Sequence, residues 1–193
     1  AHGYLIDNFL WDGTNDRDDS FGGSIETRSN LATSIIKAIR SNVSDKFIVG
    51  LRFSQWKQQD YTARLATNPD DLFKVLSGPC NAGLDYLHSS MRRFWESEFE
   101  GSDENLAYWT KKLTNIPTIS VGSVGLDGDF TDMMAPAKTA SIDKALQDIN
   151  EHKYDMVAVG RALLSDHEWV IKMKEGRLKD IHPYTKESLL EMY

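Results

Sequence analysis

Residues 47–53 read FIVGLRF, a nearly continuous apolar run that is broken only by one glycine and one arginine. Such a run is typical of a strand that is covered on both faces, as strands in a parallel sheet are. Three further apolar runs follow at residues 84–87, 118–121 and 156–159, and the four runs start 34 to 38 residues apart. This spacing is that of repeated strand–helix units, so the sequence predicts an α/β fold with a parallel sheet.

The segments between the runs carry helical periodicity and helix-capping signals. Asn68 is a good N-cap in front of Pro69, and Ser165 and Glu168 have the spacing of a capping box. The predicted helices are residues 25–40, a helix that begins after Asn68, residues 102–113, residues 141–149, and a helix that follows Ser165 and runs toward Gly176.

Four strand–helix units fit two architectures, half of an eight-stranded α/β barrel or a small open doubly wound sheet, and the pattern alone does not separate them. A complete barrel takes about 250 residues, whereas this chain has 193. The chain starts with Ala1 rather than with methionine and runs directly into a polar loop. We therefore expect a single domain over residues 1–193 that was cut from a longer protein.

The composition excludes several classes of function. Lys and Arg number 22 against 29 Asp and Glu, which gives a net charge of −7 and no concentrated basic face for nucleic acid. No apolar run approaches the roughly 20 residues that a membrane span needs, so no membrane partner is predicted. The single cysteine, Cys80, cannot form an internal disulfide, and the N-terminus lacks a signal-peptide pattern, so a cytoplasmic location is expected.

Ligands of parallel α/β folds bind at the carboxyl ends of the strands, so the residues there are the first candidates. Arg52 lies within the first run, where it either faces an electron-rich ligand or forms a structural ion pair. Glycines follow the third run at Gly122 and Gly125, and Gly160 precedes Arg161 after the fourth. These glycines let backbone N–H groups approach a phosphate, or they form tight strand–helix turns, and the glycine count favours neither interpretation.

No metal site is predicted. The acidic residues 12–19 do not follow the calcium-loop pattern, because counting from Asp16 places Phe21 at the position of the glycine and Thr27 at that of the glutamate. The five histidines show no zinc-ligand spacing.

Residues 2–10, HGYLIDNFL, and residues 15–28, NDRDDSFGGSIETR, closely resemble the old yellow enzyme family. The main departures are Phe21 in place of tyrosine and Thr27 in place of asparagine. The resemblance continues through four further segments and so covers nearly the whole chain; these are residues 50–54, 84–88, 121–126 and 157–161.

The resemblance implies an FMN-dependent NAD(P)H oxidoreductase on a (β/α)8 TIM barrel. The chain would be the C-terminal half of that barrel, with about four βα units that carry strands five to eight. Residues 1–30 would form the active-site loop segment and residues 31–193 the βα units. The missing N-terminal half of the barrel would then be a partner of this chain.

The resemblance also assigns roles to individual residues. His2 would hydrogen-bond the carbonyl oxygen of the substrate, and Tyr4 would protonate the carbon α to that carbonyl. Arg52 would face the pyrimidine edge of the flavin, where its charge stabilises the anionic reduced ring. The implied phosphate-binding residues are Gly125, Leu126, Gly160 and Arg161.

The implied reaction takes a hydride from NADH or NADPH and reduces an electron-poor alkene that is conjugated to a carbonyl, with an enone-type small molecule as substrate. The isolated fragment is expected to be inactive, and its uncovered strand edges favour homo-oligomers. Some larger members of the family carry an iron–sulfur cluster shortly after the last strand. Residues 181–184 stand at that place and contain no cysteine, so no cluster is expected. The long segment 127–140 is a candidate substrate or partner surface. The alternative function is a stand-alone half-barrel module that binds phosphate or a partner.

Overall fold

A computed structural model describes residues 1–128 and 136–190, and it contains a parallel sheet of four strands in the order β1-β2-β3-β4. Arg52 of β1 lies opposite His88 of β2, which in turn lies opposite Ile119 of β3. The parallel sheet with helical connections that the apolar runs predicted is therefore confirmed. The strands are β1 (Gly50–Ser54), β2 (Tyr86–Ser90), β3 (Thr118–Val121) and β4 (Met156–Val157).

Helices precede, connect and follow the strands. Two short 3-10 turns, Leu178–Asp180 and Lys186–Leu189, close the described part of the chain. No helix among residues 1–128 and 136–190 is long and apolar enough to cross a membrane. The helices are α1 (Leu5–Leu10), α2 (Ile25–Arg28), α3 (Asn30–Arg40), α4 (Pro69–Asn81), α5 (Leu106–Thr114), α6 (Asp143–Asn150), α7 (Arg161–Ser165) and α8 (Trp169–Lys174).

The start of α4 confirms the cap that the sequence predicted. The Asn68 side chain accepts a hydrogen bond from the backbone N–H of Asp71 at 2.9 Å, and Pro69 occupies the first helical position, where no N–H is needed. Leu72 and Leu76 of this helix are fully buried. Capping and apolar burial therefore specify the same helix, which packs against α3 and α5.

The capping box predicted at Ser165 and Glu168 is wrong. Ser165 is the last residue of α7, and its hydroxyl hydrogen-bonds the Ser188 hydroxyl at 3.0 Å. The backbone N–H of Glu168 instead donates to the carboxylate of Asp166 at 3.1 Å. The buried carboxylate of Asp166, ion-paired with Lys172 at 2.7 Å, therefore contacts the residue just before α8, and no side chain of the described residues caps this helix.

Three strands differ in extent from the apolar runs, and the fourth of the sheet ends at Val157, two residues before its run does. The first strand begins at Gly50 rather than at residue 47, since Phe47 and Ile48 are exposed. The second continues to Ser90, three residues beyond its run, because the buried hydroxyl of Ser89 donates a hydrogen bond to Thr110 of α5 at 3.0 Å. A satisfied polar side chain can occupy a buried strand without leaving an apolar signal.

The two faces of the sheet differ in burial. Phe53 and Leu87 are buried on the side that α5 covers. Tyr86 and Ile119 on the other face are half-buried, and Met156 is exposed. Within the described residues this second face is therefore open to solvent, as the inner face of a partial barrel is. Of the segment 127–140 that the sequence singled out, residues 129–135 lie outside the described part of the chain.

Candidate active site

A cavity of about 280 Å³ lies at the carboxyl end of the sheet, the edge at which parallel α/β folds bind ligands. Its walls come from His2 near the start of the chain, from the ends of β1, β2 and β3 and the turns after them, and from the turn that precedes α7. The lining residues are His2, Arg52, Trp56, Ser90, Met91, Arg92, Val121, Gly122, Ser123, Val124, Leu126, Gly160 and Arg161.

Five of the seven site residues predicted from the sequence line this one cavity. They are His2, Arg52, Leu126, Gly160 and Arg161. The two others do not line it. Tyr4 is 65% exposed, and Gly125 lies in a turn at φ +76°, where a side chain would meet the Trp169 ring.

His2 is held in an unusual backbone conformation. Its φ is +63°, a region that residues other than glycine rarely adopt and that persists only when the surroundings enforce it. Its backbone N–H donates to the hydroxyl of Ser54 at 2.9 Å, and its carbonyl accepts from the N–H of Gln58 at 3.2 Å. The imidazole stacks on the Trp56 ring with 4.4 Å between the ring centres. The loop after β1 thus fixes both the backbone and the ring of His2.

A buried ion pair lies behind His2. Asp7 and Lys57 are 2.9 Å apart, and both side chains are 0% exposed. The same carboxylate oxygen of Asp7 accepts the backbone N–H of Gly3 at 2.7 Å. Burial lowers the pKa of Lys57, and the Asp7 charge offsets part of that effect. This pair ties α1 and the residue next to His2 to the loop after β1. No local sequence pattern marks this pair, because 50 positions separate the two residues.

The His2 ring is neutral at pH 7. Burial, followed by the positive charge of Arg52, lowers the pKa of His2 to about 4. The same two causes lower the pKa of His88, the partner of Arg52 in the sheet, to about 4. A neutral imidazole can still donate one hydrogen bond, so His2 remains able to bind a carbonyl oxygen.

Arg52 presents an unneutralised cation to the cavity. No carboxylate of residues 1–128 and 136–190 forms a salt bridge with Arg52, and its guanidinium donates to the Ser90 hydroxyl at 3.1 Å. Burial lowers the pKa of Arg52, but an arginine stays protonated in proteins. Of the two interpretations that the sequence left open, the structural ion pair is therefore not supported, and a cation that faces a ligand is.

The glycine turns differ in what they do. Gly122 and Gly125 have positive φ, and an added side chain at Gly122 would meet the carbonyl of Met91 at 2.8 Å, so these two positions are tight turns. Gly160 has a negative φ, as most residues do, and nothing in the described chain lies within 4 Å of where its side chain would be. The absent side chain at Gly160 therefore leaves open space at the cavity wall.

Arg161, next to that space, connects the turns that follow β3 and β4. Its guanidinium donates to the Gly128 carbonyl at 2.8 Å and to the Ser123 hydroxyl at 3.2 Å, and it stacks on the Tyr184 ring. A positive charge beside an open glycine turn is suited to a phosphate group. The hydrogen-bond donors at this end of the cavity therefore fit the phosphate of FMN. The cation Arg52 fits a flavin ring that carries negative charge.

Sequence reasoning missed Trp56, Ser90 and Arg92, which also line the cavity. The one available signal was position, since Ser90 ends β2 and Trp56 follows β1. A smaller polar cavity of about 70 Å³ adjoins the first and shares these residues. In it, burial raises the pKa of Glu98 to about 7, and the closest approach of Arg64 to the Glu98 carboxylate is 3.9 Å.

Comparison with known proteins identifies related sequences and folds. A family model described as the NADH:flavin oxidoreductase / NADH oxidase family matches residues 1–180. The chain is 35% identical to the NADH oxidase of Thermoanaerobacter brockii over 94% of its own length and 26% of that protein. It is 30% identical to the probable NADH-dependent flavin oxidoreductase YqiG of Bacillus subtilis (strain 168) over 100% of its length and 49% of that protein. The chain thus spans about a quarter to a half of these relatives.

Solved structures show the same fold. Morphinone reductase in complex with tetrahydroNAD superposes with a TM-score of 0.67 at 21% identity, over 91% of this chain and 42% of that one. A 2-naphthoyl-CoA reductase complex gives the same TM-score at 22% identity, over 95% of this chain and 26% of that one. The four strand–helix units therefore correspond to part of an eight-stranded α/β barrel. The prediction of a partial barrel is confirmed, and the open doubly wound sheet is wrong.

Proposed function

Because the chain belongs to the NADH:flavin oxidoreductase / NADH oxidase family, we propose that it forms the cofactor- and substrate-facing part of an FMN-dependent enzyme that reduces electron-poor alkenes conjugated to a carbonyl. NADH or NADPH would supply the hydride. The observation that carries the proposal is the convergence of His2, Arg52 and Arg161 on one cavity at the carboxyl end of a parallel sheet. A neutral donor and two cations suit a carbonyl substrate and an anionic, phosphate-bearing cofactor.

The residues divide into two groups along the cavity. Gly160, Arg161 and Leu126 would hold the phosphate end of FMN, with Gly125 supporting the turn from one position outside the lining. Arg52 would stabilise negative charge on the flavin ring. FMN, when bound, supplies the hydride for the substrate.

His2 would bind the carbonyl oxygen of the substrate. A hydrogen bond to that oxygen stabilises the enolate-like charge that grows when the β-carbon accepts hydride, so it is worth more in the transition state than in the bound substrate. The low pKa of His2 keeps the ring neutral at pH 7, and the stacked Trp56 fixes its plane. The role of His2 is therefore that of a positioned hydrogen-bond donor rather than of an acid.

Tyr4 would deliver the proton to the α-carbon. Support for this assignment comes from the family resemblance and from its place two residues after His2 on the same segment. Its 65% exposure leaves the phenol outside the cavity of the described chain. Tyr4 therefore reaches a substrate only when that substrate extends beyond the His2 ring toward solvent.

We also propose that residues 1–193 are one domain, with residues 1–30 as active-site segment and residues 31–193 as βα units, which acts together with the rest of the barrel. The span of a quarter to a half of the relatives and the open inner face of the sheet support this proposal. Isolated chains would reduce no alkene and would associate through that open face. The cytoplasmic location expected from the sequence stays a prediction.

The test is a titration of the chain with FMN, followed by flavin fluorescence. We expect weak binding that Arg161→Ala reduces by about tenfold or more, the cost of one charge-assisted contact. Arg177→Ala is the matched control, because Arg177 is an exposed arginine that pairs with Glu175 away from the cavity. Equal affinities for both variants would contradict the proposed phosphate site.

The alternative, a stand-alone half-barrel that binds phosphate or a partner, gives a different result in the same experiment. Inorganic phosphate would then compete with FMN at equal strength, because only the phosphate end would be recognised. Tight stoichiometric binding of FMN by a monomer that also reduces 2-cyclohexenone with NADH would show instead that this chain is a complete enzyme.

A further inference from the structure

Ser90, the last residue of β2, has no role in the chemistry described above, yet its hydroxyl lies between two groups that do. Its oxygen is 2.7 Å from Nε2 of His2 and 3.1 Å from Nη2 of Arg52. Ser90 is 2% exposed, so bulk water does not compete for these contacts. Arg52, Ser90 and His2 thus form a continuous hydrogen-bonded chain along the cavity wall.

The direction of each hydrogen bond in this chain follows from the donors available. The guanidinium of Arg52 can only donate, so the Ser90 oxygen must accept from it. The Ser90 hydroxyl hydrogen then needs an acceptor, and among the described residues the one within reach is Nε2 of His2. Since that ring is neutral at pH 7, Nε2 can accept only if the ring proton sits on the other nitrogen, Nδ1.

We propose that Ser90 is a positioning residue that holds His2 in the tautomer with its proton on Nδ1. Nδ1 has no hydrogen-bond partner in residues 1–128 and 136–190, and the His2 ring lines the cavity. The Nδ1–H group is therefore the donor that remains for a ligand. Use of that donor toward a substrate carbonyl rests on the proposed function, whereas the tautomer itself does not.

Two further contacts strengthen the assignment. The bond from Arg52 polarises the Ser90 hydroxyl and makes it a better donor to His2, because hydrogen bonds in a chain reinforce one another. The indole N–H of Trp56 donates to the Ser90 carbonyl at 3.2 Å while its ring stacks on His2. Ser90 and Trp56 together fix the plane of the imidazole and the nitrogen that carries its proton.

The tautomer is directly measurable by ¹⁵N NMR of the histidine-labelled chain at pH 7, with His2→Gln to assign the signal among the five histidines. We expect a pyridine-type Nε2 and a pyrrole-type Nδ1 for His2. Ser90→Ala should shift both signals toward the Nε2–H form that free imidazole side chains prefer, and Ser90→Thr, which keeps the hydroxyl, should restore the pattern. Ser89→Ala is the matched control, since the Ser89 hydroxyl is bonded to Thr110 on the other face of the sheet.

A pyrrole-type Nε2 in the unmodified chain would overturn the proposal even if Ser90→Ala does not fold. An unchanged His2 spectrum in a folded Ser90→Ala variant would also overturn it. In protein that reduces an enone, Ser90→Ala should slow alkene reduction roughly tenfold, as expected for one misdirected hydrogen bond, with Ser90→Thr close to the unmodified rate. Failure of the proposed function would appear as absent enone reduction with the Nδ1–H tautomer intact, so the two failures are distinguishable.

Discussion

Replacing Lys57 by methionine tests how the His2 segment is held in place. The change removes the charge and keeps most of the side-chain volume, so Asp7 is left as a buried carboxylate without its partner. Because both side chains are 0% exposed and only 2.9 Å apart, water cannot replace the lost ammonium without rearrangement. Removing one partner of such a pair costs about 3–5 kcal/mol of folding free energy.

For a chain of this length that loss corresponds to a fall in Tm of roughly 10 °C. Calorimetry of Lys57→Met against Lys74→Met provides the comparison, because Lys74 forms a similar 2.9 Å pair with Asp71 at the surface. Exposed pairs contribute about 1 kcal/mol or less, so the control should unfold within a few degrees of the unmodified chain.

The double variant Asp7→Asn with Lys57→Met completes the test. An asparagine at position 7 still accepts the N–H of Gly3 through its side-chain oxygen and leaves no buried charge. We therefore expect the double variant to recover most of the stability that Lys57→Met loses, since neutral replacements of buried ion pairs are often tolerated. Equal stability of Lys57→Met and Lys74→Met, or no recovery in the double variant, would refute the reasoning.

Two further predictions concern Glu98 and Tyr4. Burial raises the pKa of Glu98 from 4.5 to about 7, so between these pH values the folded chain keeps a proton that the unfolded chain loses, and the free energy of unfolding falls as the pH rises. Urea unfolding at pH 4.5 and 8 should show that Glu98→Gln removes about 3 kcal/mol of this fall. Identical pH profiles of the variant and the unmodified chain would contradict the raised pKa of Glu98. In protein that reduces an enone, Tyr4→Phe should slow the alkene half-reaction about 10²-fold and spare flavin reduction by NAD(P)H in stopped-flow measurements, whereas equal loss in both steps would remove Tyr4 as proton donor.

The sequence predicted the repeat of the fold because apolar strands and capped helices leave local signals. The run around Leu51 and the cap at Asn68 are read from a few neighbouring residues, and both correspond to elements of the structure. The polar end of β2 and the buried Asp166 before α8 were missed. Each depends on a partner elsewhere in the chain, Thr110 for Ser89 and Lys172 for Asp166.

The candidate site also combines residues that local sequence predicted with contacts that depend on distant partners. Position near the carboxyl end of a strand was enough to select Arg52 and Gly160, since these ends of parallel strands meet at one edge of the sheet. The Asp7–Lys57 pair and the contact of Ser90 with His2 join residues 50 and 88 positions apart, and no local pattern marks such pairs. These contacts arise only in the folded chain, because burial turns ordinary polar residues into groups that must find a partner.

The measurement that tests the central claim most directly is an NMR titration of the isotope-labelled chain with FMN, which detects weak binding residue by residue. We predict that the backbone signals of Gly160 and Arg161 and the ring signals of His2 shift together along one binding curve. The glycines at positions 101 and 176, which have open surroundings outside the cavity, should remain unchanged. Shifts confined to residues outside the cavity, or none up to the solubility of FMN, would contradict the account.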